Sequence, residues 1–292
     1  MKRLTLLLAM AIICLSVSAQ EDQGKTKQKK DTIHVGGMVI VKEGKHKKGK
    51  ELTIIDNKPE VPRKKRNIST NWGILDLGFN NFNDQTNYGN AGSYLVNRPG
   101  YPTLGKNDFK PITEKSINVN VWIFMQRLNL VKHYVNLKYG LGFEFNNYRY
   151  KSPISYKESG PDPYTNMPQV SNGPFIFRDS ISFSKNKLAT DYITVPVMLN
   201  VVSNPGKKNK GLSLSLGVST GYLIAQRNKQ KSSERGKLKN KGDYGLEKFK
   251  FSYIAEIGLG PVRLYGSYTP NSIYEKGLDM RPYTVGFRFS NW

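Results

Sequence analysis

The sequence predicts an all-β protein, an eight-stranded antiparallel up-and-down transmembrane β-barrel that follows a short basic N-terminal segment. Three observations support this prediction. Eight segments alternate apolar and polar residues with the period of a strand, and no amphipathic helix separates them. The connections between these segments alternate between long and short. The chain also begins with an export pattern and carries an amphipathic strand over its last ten residues.

Residues 1–19 have the form of a signal peptide. Lys2 and Arg3 precede a short apolar run, and small residues lie before Gln20, so cleavage is expected after Ala19. The apolar run is too short to cross a bilayer as a helix. The single cysteine, Cys14, lies within this region, and a mature chain without it would have no disulfide or thiolate chemistry.

Residues 20–71 form a basic segment that is expected to lie in the periplasm. Lysine-rich runs surround two apolar stretches, residues 33–41 and 52–55, whose pairing would give a small β-hairpin. Two interpretations stay open. The segment is either a flexible charged lead-in or a periplasmic element that contacts an anionic partner.

Residues 72–292 are expected to form the barrel. The predicted strands cover residues 75–79, 117–126, 135–146, 192–201, 212–219, 249–259, 262–268 and 283–292. In the third strand, Leu137, Leu141 and Phe143 alternate with Lys138 and Glu144. Such a strand turns its apolar side chains to lipid and its polar side chains to the lumen.

The connections support the same architecture. Long connections cover residues 81–114, 147–188, 226–248 and 270–280, and short ones cover 129–132, 204–209 and 260–261. Membrane barrels have short periplasmic turns and long outer loops, so both ends of the barrel chain are expected in the periplasm. Aromatic residues near strand ends are expected to form girdles at the headgroup level: Trp72, Tyr134, Tyr148, Tyr150, Tyr192, Tyr222, Tyr268, Tyr283 and Trp292.

Two runs carry a resemblance to a known family. Residues 71–82, Asn-Trp-Gly-Ile-Leu-Asp-Leu-Gly-Phe-Asn-Asn-Phe, resemble the first strand of PorT-type outer-membrane β-barrel proteins of Gram-negative bacteria. Residues 139–150, Tyr-Gly-Leu-Gly-Phe-Glu-Phe-Asn-Asn-Tyr-Arg-Tyr, resemble the same family, and the likeness covers about residues 70–292. The resemblance implies a cell-envelope barrel without a particular activity, and it leaves service to a protein-secretion machine open.

Seven charged residues are expected to face the lumen, where a charge must be paired or remain wet. These residues are Asp76, Lys138, Glu144, Lys250, Glu256, Arg263 and Arg288. Their mixed signs predict a network that fastens the wall, and a narrow ion or proton path is the alternative. An eight-stranded barrel holds its own side chains and little else. The same face is expected to carry Trp122, Phe124, Tyr192, Met198, Ile254 and Tyr265.

No catalytic residue, metal or cofactor is predicted. The three histidines, His34, His46 and His133, lie outside the long loops, where a surface hydrolase would need one for a Ser-His-Asp site. The sequence also has no metal-binding motif such as H-E-x-x-H or C-x-x-C. We therefore rank an outer-membrane hydrolase third, behind a structural or partner-binding barrel and a narrow channel or transporter component.

The formal net charge of +23 indicates anionic partners. Export argues against nucleic acid and favours outer-membrane lipid, lipopolysaccharide, an envelope protein or an anionic surface polymer. The loop at 226–248 has eight basic and three acidic residues. It is either a solvated, mobile loop or a surface that bridges lipopolysaccharide phosphates or an acidic partner. The proline- and tyrosine-rich loop at 147–188 is a further candidate for recognition.

The sequence thus favours a non-enzymatic outer-membrane barrel with an envelope-structural or partner-binding role through its long outer loops. A narrow channel or a component of a transport or secretion machine is the alternative.

Overall fold

A computed structural model of the protein describes residues 32–35, 38–41, 66–169, 172–205, 211–259 and 262–290. The chain divides into two units, residues 1–62 and 63–292. In the first unit, β1 (Thr32–Val35) pairs antiparallel with β2 (Met38–Val41), so both strands of this hairpin lie in the first apolar stretch. The predicted signal peptide and the stretch at 52–55 lie outside the described residues.

The described part of the second unit contains twelve further strands. They are β3 (Ile68–Asp84), β4 (Leu95–Val96), β5 (Ile117–Val131), β6 (Val135–Tyr150), β7 (Ile154–Lys157), β8 (Phe175–Arg178), β9 (Lys185–Val202), β10 (Leu212–Ser232), β11 (Gly236–Lys241), β12 (Phe249–Leu259), β13 (Val262–Tyr268) and β14 (Met280–Phe289). The helical elements are α1 (Lys106–Phe109) and three 3-10 turns, Tyr88–Asn90, Gly92–Tyr94 and Thr113–Lys115. None of the helices among the described residues is long and apolar enough to cross a bilayer.

Eight of these strands form a closed antiparallel ring. Around the ring, β3, β5, β6, β9, β10, β12, β13 and β14 each pair with their neighbours, and β14 pairs back with β3. At this seam Phe289 lies opposite Leu75 and Met280 lies opposite Asp84. Closure removes the strand edges that an open sheet would expose to lipid. The predicted eight-stranded antiparallel up-and-down barrel is therefore confirmed. The first barrel strand begins at Ile68, four residues before Trp72, where the barrel was expected to begin.

The wall of the ring separates apolar from polar side chains. On β9, Val195, Val197 and Leu199 are exposed on the outer face, while Thr194 and Asn200 are buried on the inner face. This alternation continues around the ring because successive strand residues point to opposite sides. The outer face therefore has the apolar character that contact with lipid requires.

A β-bulge at Ile123 corrects one predicted orientation. The register between β5 and β6 shifts between Trp122 and Phe124, so one extra residue lies on β5. Phe124 consequently lies on the outer face, where its ring is 5.9 Å from that of Trp72. Met125 points inward and is fully buried. The prediction that Phe124 lines the lumen is therefore wrong, because a bulge inverts the facing of the residues that follow it.

The predicted aromatic girdle is wrong for three of its members. Tyr148, Tyr150 and Tyr192 are buried in the interior and do not reach the headgroup level. They lie on inward-facing positions of strands that continue beyond the apolar part of the wall. Exposed aromatic residues on the outer face include Trp72, Tyr134, Tyr222 and Tyr283.

The long connections are folded, and they lie at one end of the ring, which we call the loop end. Here β4 pairs parallel with β8, and β8 pairs antiparallel with β7, which gives a three-stranded sheet. Residues 226–248 contain the end of β10 and all of β11, which together form an ordered hairpin. The surface of the loop end is therefore formed by paired strands.

Candidate functional site

Glu256 lies at the centre of the charged network inside the barrel. Its carboxylate oxygens accept hydrogen bonds from Lys138 Nζ at 2.7 and 2.9 Å, from Arg263 Nη1 at 2.8 Å and from Arg288 Nη1 at 2.7 Å. All four residues are buried. Arg263 and Arg288 lie directly opposite each other on β13 and β14, where like charges repel. Glu256 contacts both guanidinium groups and offsets that repulsion.

Asp76 extends this network to the seam of the barrel. Arg288 donates from Nε and Nη2 to the two oxygens of Asp76, at 2.7 and 2.8 Å. Asp76 also accepts from the indole Nε1 of Trp122 at 2.7 Å. Because Arg288 contacts both Asp76 and Glu256, one side chain connects β3, β14 and β12. This planar, two-sided contact suits arginine better than lysine.

A second charged group lies nearer the loop end. Lys250 on β12 pairs with Glu144 on β6, and its ammonium group lies 4.7 Å from the centre of the Tyr192 ring. Glu144 also accepts a hydrogen bond from Asn146 at 2.8 Å. The structure thus places all seven predicted lumen charges inside the barrel and in contact with opposite charges.

Sequence reasoning missed one interior cation, Arg127. It lies opposite Lys138 in the β5–β6 register and is half-buried, so it shares the inner face. Uninterrupted alternation from Trp122 would place Gln126 inward and Arg127 outward. The bulge at Ile123 reverses these two orientations. The five consecutive apolar residues from Val121 to Met125 were the signal that simple alternation fails here.

The barrel interior leaves little free space beside the charges. A cavity of about 30 Å³ lies between Trp122, Met198, Tyr265, Glu256 and Arg288. That volume holds about two water molecules. Side chains therefore fill this part of the lumen, as the small circumference of an eight-stranded barrel dictates.

An aromatic cluster closes the loop end of the interior. Tyr156 on β7 shares hydrogen bonds with the hydroxyls of Tyr150 at 3.1 Å and Tyr274 at 2.9 Å. Tyr94 donates to the carbonyl of Tyr244 at 2.6 Å. Burial raises the pKa of Tyr156, so its hydroxyl stays neutral at physiological pH. The cluster joins all four long connections to the barrel strands and covers the lumen.

Three long connections line an open groove on the loop end. The groove has a volume of about 720 Å³, and its walls include Arg98, Lys157, Tyr164 and Arg235. Tyr164 packs edge-on against Phe177 and donates to the carbonyl of Arg178 at 2.6 Å. The aromatic wall is therefore held in place, and the cations lie around it.

A basic surface covers the outer face of β11 and of those parts of β6, β9 and β10 that extend beyond the apolar wall. Its first row consists of Arg149, Lys187, Lys229 and Lys239, which lie opposite one another on the four neighbouring strands. A second row consists of Lys185, Lys231 and Lys237, and a third of Arg227 and Lys241. We use the name basic surface for these nine residues.

Few carboxylates balance the basic surface. Among the described side chains, Asp191 is the one carboxylate in ion-pair contact with it, through Arg227. Partial burial and the neighbouring cations Lys185, Lys229 and Arg149 lower the pKa of Lys187 to about 8. Partial burial and the neighbouring cations Arg227, Lys239 and Lys185 likewise lower the pKa of Lys229. Mutual repulsion at these lysines shows that the cations are crowded.

In the part of the chain that the structure describes, no group of three or more His, Cys, Asp or Glu side chains is placed to hold a metal ion. His133 lies in the turn between β5 and β6, with a positive φ of 64°, at the end of the barrel opposite the groove.

The closed ring, its apolar outer face and its charged interior define a transmembrane β-barrel. The chain belongs to the outer membrane protein beta-barrel domain family, whose model matches residues 68–273. This membership gives an outer-membrane location. Two solved structures of Ail, the attachment invasion locus protein of Yersinia pestis, are similar to the chain.

The first Ail structure is 10% identical, covers 75% of this chain and 98% of its own, and has a TM-score of 0.28. The second, in complex with the heparin analogue sucrose octasulfate, is 13% identical with the same coverage and a TM-score of 0.27. No curated protein matches the chain.

Proposed function

We propose that the protein is a non-enzymatic, PorT-like outer-membrane barrel that binds an envelope protein or an anionic surface polymer at its loop end. In this proposal the loop end faces outward, and the basic N-terminal segment and the C-terminus lie in the periplasm. Outer-membrane lipid and lipopolysaccharide surround the wall. The runs at 71–82 and 139–150 support the PorT-like assignment.

The groove at the loop end is the observation that carries this proposal. It draws its walls from three separate connections, and the three-stranded sheet of β4, β7 and β8 supports them. A surface held in one conformation loses little entropy on binding. The cations Arg98 and Lys157 beside the ring of Tyr164 suit a partner that carries acidic groups and flat or apolar faces.

The geometry around the groove gives hydrolysis little support. His133 lies at the other end of the barrel and cannot act as a base for a nucleophile in the groove. The seven interior charges are engaged with one another, and substrate reaching them would have to displace the aromatic cluster.

A narrow channel or a component of a transport or secretion machine is the alternative. Conduction needs a continuous wet path, and the interior instead contains paired charges, a cavity of about 30 Å³ and the aromatic cluster. We therefore rank a binding role above a conducting one.

Photo-crosslinking in intact cells tests the binding role. A photoreactive residue at Ser180, on the rim of the groove, is expected to give a discrete crosslinked species. The matched control carries the same residue at Lys132, in the turn at the opposite end. Replacing Arg98 and Tyr164 by alanine should remove the Ser180 species while the barrel still folds. The same species from both positions, or its survival in the double variant, would contradict binding at the groove.

A recording in a planar lipid bilayer tests the alternative. The reconstituted protein is expected to show no reproducible conductance steps. Regular steps that disappear on substitution of a lumen charge would establish a channel and overturn our ranking.

A further inference from the structure

We propose that the basic surface is a binding site for the phosphate groups of lipopolysaccharide in the outer leaflet. This inference goes beyond the proposed loop-end partner, because the nine cations lie on the side of the barrel and belong to a different face from the groove. The site would attach the wall of the barrel to the lipids directly beside it.

On β6, β9 and β10, the basic surface continues directly from the lipid-facing surface of the same strands. On β10, the exposed Ile224 is followed by Arg227, Lys229 and Lys231. With a rise of about 3.3 Å per residue and a tilt of about 40°, these three cations lie about 8 to 18 Å above Ile224. Each phospholipid headgroup layer occupies only about 5 to 8 Å. The rows therefore reach the level of a phosphorylated sugar core, which lipopolysaccharide has and phospholipids lack.

The register of the strands arranges the cations as a lattice. Neighbours within a row, such as Lys187, Lys229 and Lys239, are separated by the strand spacing of about 4.8 Å. Successive rows are two residues apart, which is about 6.7 Å. Several phosphates on one lipid, or on adjacent lipids, can each contact more than one cation. Multiple close contacts matter here, because salt screens charges beyond roughly 8 Å.

The direction in which the surface faces distinguishes a lipid from a soluble polymer. The side chains flanking Lys187 and Lys229 along their strands, Asn186 and Asn228, are buried, so the cations themselves point outward from the wall. An outward face just above the lipid level meets neighbouring lipids at high local concentration.

The crowding of the cations supports the same site. Lys187 has neighbouring positive charges on β6, β9 and β10, and its Nζ donates to the side-chain oxygen of the neutral Asn147. A phosphate between these side chains would replace repulsion with charge-assisted hydrogen bonds. Asp191, held by Arg227, marks the edge of the surface nearest the lipid-facing residues.

The test measures binding of fluorescent lipopolysaccharide to the folded full-length mature protein in neutral detergent. Wild type is compared with the K187Q/K229Q/K239Q variant, and K106Q/K115Q/K276Q serves as a matched control that removes three exposed lysines elsewhere. We expect the first variant to bind at least about tenfold more weakly, and the control to bind within about twofold of wild type. Faster migration on gels before boiling verifies that each variant is folded.

Chemically dephosphorylated lipopolysaccharide provides a second measurement that needs no variant. Wild type should bind it about as weakly as the triple variant binds the phosphorylated form. Equal binding of the two lipids by wild type would overturn the proposal, as would unchanged binding by the triple variant.

Inorganic polyphosphate distinguishes the source of the phosphate. If it binds as tightly as the lipid and depends on the same lysines, the site serves a soluble polymer and the lipid assignment is wrong. None of these results depends on the groove.

Discussion

Lys138 on β6 donates a 2.7 Å hydrogen bond to Glu256 on β12, although β9 and β10 separate the two strands around the ring. The contact therefore crosses the lumen. A second pair, Glu144 with Lys250, joins the same two strands. Backbone pairing links each strand only to its neighbours, so these side chains connect opposite sides of the wall. They stiffen the cylinder and occupy the space through which a solute would pass.

Replacing Glu256 by glutamine should strongly destabilise the barrel. The change leaves Lys138, Arg263 and Arg288 buried around a neutral amide, and an uncompensated buried charge costs about 3–5 kcal/mol. Urea unfolding in lipid vesicles measures the loss. Glu114→Gln, in an exposed loop position, is the control and should change the free energy of unfolding by less than about 0.5 kcal/mol. Similar values for the two variants would show that the network is not stabilising.

Arg288→Lys should destabilise the barrel by roughly 2 kcal/mol, because an ammonium group cannot make the two-sided contact with Asp76 while also reaching Glu256. Arg281→Lys is a matched control. Arg281 contacts Asp279 through the same two nitrogen positions, at 3.0 and 2.8 Å, but the two side chains remain 30% and 36% exposed. Exposed pairs contribute about 0–1 kcal/mol. Equal effects of the two substitutions in urea unfolding would contradict the role assigned to burial.

The stability of the lipid-free protein should depend on pH through Lys187. Its pKa is about 8 in the folded state and 10.5 in the unfolded chain, so between these values the unfolded state binds more protons. Stability should therefore rise as the pH increases from about 8 towards 10.5. In Lys187→Met, this pH-dependent increase in stability should be smaller. A comparison of urea midpoints at pH 7.5 and 9.5 in neutral detergent checks the sign, and an unchanged increment in the variant would exclude Lys187 as its source.

Gly286→Ala should impair closure of the barrel. A Cβ at Gly286 would clash with the carbonyl oxygen of Leu77 and with Gly78 across the β14–β3 seam, and it would lie 2.8 Å from the Tyr265 ring. Backbone atoms cannot move aside as a flexible side chain does. Gly105→Ala is the control, since nothing lies within 4 Å of its added Cβ. On gels before boiling, the fast-migrating folded form should diminish for Gly286→Ala alone, and its full retention would show that the seam tolerates the methyl group.

Alternation along each strand was enough to predict the barrel and the inner face of β6, β12 and β14, since strand side chains repeat with a period of two. It failed near Ile123, where five apolar residues in succession conceal the bulge. The girdle prediction failed at Tyr148 and Tyr150, which unbroken alternation along β6 places on the inner face, because the extension of this strand beyond the bilayer depends on pairing with β9. The loops lack a periodic pattern, so their packing was not predictable in the same way.

The amino-acid sequence by itself determined the class of the fold, the strand directions and the side of the wall on which most charges lie, because these follow from local periodicity and connection length. Only the tertiary structure decided which charges meet, how the loop end closes and how nine cations line up on β6, β9, β10 and β11. Those relationships depend on the register between strands and on ring closure, which bring together residues such as Lys138 and Glu256 that are distant along the chain.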